Sequence, residues 1–126
     1  MTSITDSLQS PITGDLIVQY VERSDWVTFA ELAMSFSDTE GDLSISVGEN
    51  LVLWSGMSQR FVDALHEAQA SKRLTLVPCS RLCYYHDGMS LSLPIAKQAR
   101  NYKKPHWLVA AFRPVAKVPP KLSVEP

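Results

Sequence analysis

The stretch "SQRFVDALHEAQASKRLTLVPCSRLCYYHDGMSLSLPIA", residues 58–96, changes its hydrophobic period half-way along. In its first part Phe61, Leu65 and Ala68, with Val62 beside them, repeat at helical spacing. Ser58 has the chemistry of an N-cap, and Lys72 and Arg73 fall in the last turn, where the negative end of the helix dipole favours cations. From Leu74 onward the pattern alternates as in a strand. Asp87-Gly88 is a type I′ turn signal between two such runs, and a two-residue loop there pairs Tyr84 with Leu91 and Leu82 with Leu93. One face of the predicted hairpin is Leu82, Tyr84, Met89, Leu91 and Leu93; the other is Arg81, Cys83, Tyr85, Ser90 and Ser92. Turn chemistry and binary pattern agree on that register.

Upstream, Thr13 to Ser24 reads as a first helix, with Thr13 as cap, Asp15 in the first turn and an apolar stripe of Leu16, Ile17, Tyr20 and Val21. A short extended link, "DWVT", precedes a second helix, "FAELAMSFS" (29–37). Thr28 and Glu31 there form a capping-box pattern. Between the second and third helices lies "DTEGDLSISVGEN" (38–50), acidic and glycine-containing, read as a loop or excursion with Leu43, Ile45 and Val47 alternating. "LVLWSG" follows as a brief buried segment. After the hairpin, "HWLVAAF" (106–112) suits a further strand or tight apolar segment.

Helix, extended link, helix, connection, third helix, hairpin: over about residues 13–96 this order resembles the winged-helix form of the helix-turn-helix. The resemblance rests on "WVTFAELAMSFS" and on residues 58–79 running straight into "RLCYYHDGMSLSL". It implies an α+β winged helix of three helices followed by a β-hairpin, with the third helix entering the DNA major groove and the wing touching the backbone or minor groove. A winged helix usually has a short turn between its second and third helices. Here some twenty residues, Ser37 to Gly56, form an acidic insertion. The expected organisation is a flexible N-terminus (1–12), one domain (13–114) and a disordered Pro-rich tail (115–126).

A chain of 126 residues that is 45% hydrophobic has the length and composition of one globular domain. No apolar run approaches the roughly eighteen residues needed to cross a bilayer, and the first residues lack the features of a secretory signal. The overall charge of −1 divides unevenly: residues 1–57 carry −8, with Arg23 their only base, and residues 58–126 carry +7. Such asymmetry points to a polyanionic partner for the basic half, or to halves that neutralise each other.

Within "KQARNYKKPHWLVAAFRP" (97–114), Lys97, Arg100, Lys103 and Lys104 fall within eight residues, with Tyr102 among them. Four such cations can follow a phosphate backbone electrostatically, while Trp107 belongs to the core. On the third helix Arg60 can bond guanine, Gln59 can bond adenine, and His66 and Lys72 lie on the same predicted surface. Asp63 and Glu67 on that helix would repel phosphate, so an ordinary solvated face is the alternative. On the wing, Arg81 and Tyr85 are phosphate-contact candidates.

Cys79 and Cys83, placed four apart on one strand, would stand about 13 Å apart, too far for a disulfide. Alternation would also turn His86 away from them, against a zinc site. Reduced thiols in a cytoplasmic protein are expected. No phosphate-binding glycine loop, HExxH or GxSxG pattern occurs, and neither catalysis nor a cofactor is expected. The expected function is DNA binding as a transcription regulator or accessory factor, with double-stranded DNA as partner. The alternative is a protein-interaction module using the acidic segment 38–50 and the stripe "LVLWSGM". A homodimer is compatible with either.

Overall fold

A computed structural model describes residues 9–84, 91–97 and 102–118. The described residues form a mixed α+β fold with three α-helices and two small sheets. Helix α1 (Gly14–Ser24) is capped by Thr13, whose hydroxyl accepts from Leu16 N at 3.2 Å. Helix α2 (Phe29–Ser35) is capped by Thr28 accepting from Glu31 N at 3.0 Å, and α3 (Gln59–Ala70) by Ser58 accepting from Phe61 N at 3.0 Å. Each cap satisfies a donor that the first helical turn leaves open. Lys72 lies in the left-handed region (φ 61°), so α3 stops short of Leu74.

The extended link before α2 becomes strand β1 (Val27–Thr28). It pairs antiparallel with β6 (Ala110–Pro114), which also pairs antiparallel with β4 (Leu74–Pro78), giving the order β1-β6-β4. The second sheet has the order β2-β3-β5. Strands β2 (Glu40–Ser46) and β3 (Leu51–Met57) form an antiparallel hairpin, and β3 runs parallel to β5 (His106–Trp107). The acidic insertion is therefore an ordered hairpin. Its turn uses Gly48 (φ 65°) and Asn50 (φ 59°), residue types that tolerate the left-handed region. Gly41 is needed for a different reason. A Cβ there would lie 2.5 Å from Met57 O, so β2 and the end of β3 meet backbone to backbone.

One core joins these layers. Ile17 and Val21 of α1, Leu32 of α2 and Phe61 and Leu65 of α3 are all 1% exposed or less. Phe29 stacks on Trp54 of β3 (centroids 6.3 Å apart) and meets Phe112 of β6 at 4.9 Å, so it bridges the two sheets. Trp107 packs edge-on to Tyr84 at 5.0 Å, as a core residue. In the stripe "LVLWSGM", Leu51, Leu53, Trp54 and Met57 are buried in this core, whereas Val52 and Ser55 are half-buried and Gly56 is exposed.

The expectation of a hairpin at residues 82–93 is corrected. The antiparallel partner of β4 is β6, with Leu76 opposite Phe112, and the predicted pairing of Leu82 with Leu93 is absent. The chain leaves the extended state at Ser80, whose hydroxyl accepts from Leu82 N (3.1 Å) and whose carbonyl accepts from Cys83 N (3.0 Å). Such local serine bonding competes with strand pairing and turns Arg81–Tyr84 into one turn of 3₁₀ helix. Leu82 is consequently 62% exposed, whereas Tyr84 is buried with its hydroxyl donating to Ala110 O at 2.8 Å. Asp87-Gly88 lies outside the described residues.

The N-terminal stretch is held from Gln9 onward: Ile12 is fully buried, Ile12 N donates to Ser37 O, and Ser37 N donates to Ser10 O. The tail expected to be disordered from residue 115 begins with a 3₁₀ turn, Val115–Lys117, anchored by Val115 N donating to Arg73 O at 3.0 Å. Among the described residues no helix is long and apolar enough to cross a membrane.

Candidate nucleic-acid interface

The described cations fall into two groups. Arg60 faces Asp38 at 3.6 Å, Arg73 pairs with Glu22, and Arg113 and Lys117 both reach Asp25. Arg23 lies over the Tyr20 ring. Lys72, Arg81, Lys97, Lys103 and Lys104 are exposed, with no carboxylate within 4.0 Å among the described residues. Four of those five stand on the connection between β4 and β6. No Asp or Glu occurs from Gly88 to Val124, so nothing within that stretch can neutralise it.

The lysine segment is built on the second sheet. Trp107 lies between β3 and the segment Pro94–Ala96: its N–H donates to Pro94 O (2.7 Å), and its carbonyl accepts from Ala96 N (2.8 Å). Pro94–Ala96 runs parallel to β5, so Lys97 follows at its outgoing end, and Lys103 and Lys104 precede its incoming end. At the incoming end the Tyr102 and His106 rings stack at 3.9 Å. His106 Nδ1 is 2.8 Å from Lys104 O, a contact that requires the proton on Nδ1. Asn50, in the β2–β3 turn, donates from Nδ2 to Tyr102 O at 2.8 Å, and its carbonyl accepts from His106 N at 2.7 Å. Asn50 did not stand out in the sequence. The turn signal at 48–50 was visible, but not its partner 52 residues away.

The outer face of α3 is less favourable to an anion. Gln59 Nε2 donates to Asp63 Oδ1 at 2.8 Å, and Arg60 is engaged by Asp38 from the start of the insertion. Glu67 accepts from Gly14 N at 3.3 Å. His66 and Lys72 are exposed, separated from the lysine segment in the chain. Of the sequence-predicted residues, Arg81, Lys97, Tyr102, Lys103 and Lys104 share one connection in the chain, and Tyr102, Lys103 and Lys104 stand at the incoming end of β5. Gln59, Arg60, His66 and Lys72 form a second, mixed-charge group. Tyr85 and Arg100 lie outside the described residues.

Cys79 and Cys83 are free thiols, but the separation expected from a strand is overturned. Strand β4 ends at Pro78 and Cys83 stands in the 3₁₀ turn Arg81–Tyr84, so the two cysteines do not share one strand. Burial, and secondarily Cys83, pushes the Cys79 thiol well above its ordinary range. Comparison with known protein families, characterised proteins and solved structures finds no match to this chain.

Proposed function

We propose that the protein binds duplex DNA through a winged-helix domain, as a transcription regulator or accessory factor. Support for the fold comes from element order. Helix, short strand, helix and helix lead into the antiparallel pair β4 and β6, and the short strand joins that pair in one sheet. In this arrangement the β2–β3 hairpin is inserted between α2 and α3, and the long β4–β6 connection occupies the wing position.

The observation that carries the functional reading is the distribution of unneutralised charge. Arg81, Lys97, Lys103 and Lys104 are exposed on that connection without carboxylate partners among the described residues, while arginines elsewhere in the described chain are engaged by carboxylates or, for Arg23, by an aromatic ring. Cations of this kind release counterions from a phosphate backbone and position a protein without reading sequence. Base readout falls to α3, where Arg60 must exchange Asp38 for a base edge.

The direct test is a mobility-shift titration on random duplex DNA at two salt concentrations. For four phosphate contacts, a fourfold rise in salt weakens binding on the order of a hundredfold. No binding at low salt refutes the proposal.

A protein-interaction module is the second reading. It is favoured by β2, an edge strand on which Glu40 and Asp42 are exposed. Association with another protein that is insensitive to salt, without DNA binding, would select it.

A further inference from the structure

We infer that Asn50 is a positioning residue that holds the Lys103-Lys104 turn in shape for phosphate contact, an inference that rests on the DNA-binding reading above. Asn50 has a φ of 59°, a conformation that few residue types other than Gly, Asn and Asp adopt readily. From there it grips the lysine turn at both ends: Nδ2 bonds Tyr102 O at 2.8 Å and its carbonyl bonds His106 N at 2.7 Å. Only three residues, Lys103, Lys104 and Pro105, lie between the two grips. Inside the turn the Tyr102 and His106 rings stack at 3.9 Å, and the His106 Nδ1–H donates to Lys104 O at 2.8 Å.

Two exposed lysines thus spring from a backbone pinned by three hydrogen bonds and a ring stack. Ordering that backbone in advance lowers the entropy cost of binding. The acidic insertion then has a definite role. Its acidic side chains are incidental to it; the hairpin carries Asn50 to the far side of β3 from β2, where β5 begins, and braces the turn.

Asn50→Gly isolates the side chain, because glycine keeps both the positive φ and the carbonyl that accepts from His106. Binding to a random-sequence duplex is followed by fluorescence anisotropy across a salt series. The variant is expected to bind about three- to tenfold more weakly at low salt, the size of one net hydrogen bond, and with a shallower salt slope. A purely structural side chain would lower the melting temperature and leave that slope unchanged.

A second readout needs no DNA. In the free variant the backbone order parameters of Lys103 and Lys104 should fall toward about 0.6 or below, while those of β3 stay at rigid values. Unchanged order parameters overturn the inference whatever the protein binds. If the unmodified protein binds DNA and Asn50→Gly matches it in affinity and slope, the positioning role is wrong and the DNA-binding reading stands. If the unmodified protein binds no DNA while the order parameters fall, DNA binding is refuted, and with it a phosphate-positioning role for Asn50.

Discussion

Asp25 and Arg113, 88 residues apart in the chain, form a two-pronged ion pair, with Nε to Oδ1 and Nη2 to Oδ2 both at 2.9 Å. The pair fastens the end of α1 to β6. The Trp26 ring lies 4.2 Å from the guanidinium, and Lys117 adds a second cation at 3.8 Å from Asp25. Asp25 and Trp26 both have positive φ, so the chain makes an uncommon turn that delivers the carboxylate to Arg113.

Acid should release this fastening. The bonds from Arg113 hold the Asp25 carboxyl below its ordinary range, outweighing the opposing effect of burial. A depressed folded-state pKa contributes stability that is complete above the unfolded value, near about 3.9, and is lost as pH falls through the folded value. Asp25→Asn keeps a residue tolerant of φ > 0 and removes the charge. Urea midpoints should be lower for the variant at pH 7, and the gap should narrow as the pH falls below the ordinary carboxylate value near about 3.9. A gap of constant size at every pH would contradict this assignment.

Gly14 sets how closely α1 approaches α3. A Cβ at that position would lie 2.5 Å from Glu67 Cβ and 3.1 Å from Ala68 N. Alanine gains up to about 1 kcal/mol of helix propensity over glycine, and less at a helix end. Overpacking against a neighbouring helix costs about 1–3 kcal/mol. Gly14→Ala should therefore be destabilised by about 1–2 kcal/mol in chemical denaturation. A variant more stable than the parent would show that the helices separate freely.

The Cys79 thiol, raised by burial, should react slowly. Iodoacetamide at pH 8 should modify it at least about tenfold more slowly than an unperturbed thiol, since each unit of pKa removes a factor of ten in thiolate. Denaturant should abolish the difference. Rapid modification in the native protein would mean that the 3₁₀ turn opens readily.

Under the proposed DNA-binding reading, Asp38 would compete with DNA for Arg60. The pair is 3.6 Å long with side chains 53% and 60% exposed, so it contributes about 0–1 kcal/mol to stability. Asp38→Asn should leave folding almost unchanged and tighten DNA binding about two- to fivefold at low salt, by removing a negative charge beside the contact. Affinity that is unchanged would separate Arg60 from the interface.

The elements legible in the sequence were those specified locally. Thr13, Thr28 and Ser58 announced their helices because a cap bonds three residues ahead. The gap from Phe61 to Leu65 to Ala68 marked the face of α3 that is buried. The Lys97–Lys104 cluster was visible as composition. The sheets were harder. Leu82, Tyr84, Leu91 and Leu93 alternate around a good turn signal, yet Ser80 turns the chain away, and β4 pairs with β6 more than thirty residues later. Nothing local in Leu76 names Phe112 as its partner, just as nothing in Asn50 names Tyr102.

The most direct test of the central claim is the salt dependence of binding by the Lys103→Gln/Lys104→Gln double variant on a random duplex. Both lysines are exposed and have no carboxylate partner among the described residues, so the fold should be unaffected. Each lost phosphate contact lowers the log–log slope by about 0.9, so the pair should lower it by roughly two units and weaken binding to all sequences alike. A double variant that keeps the parent's affinity and slope would contradict the account.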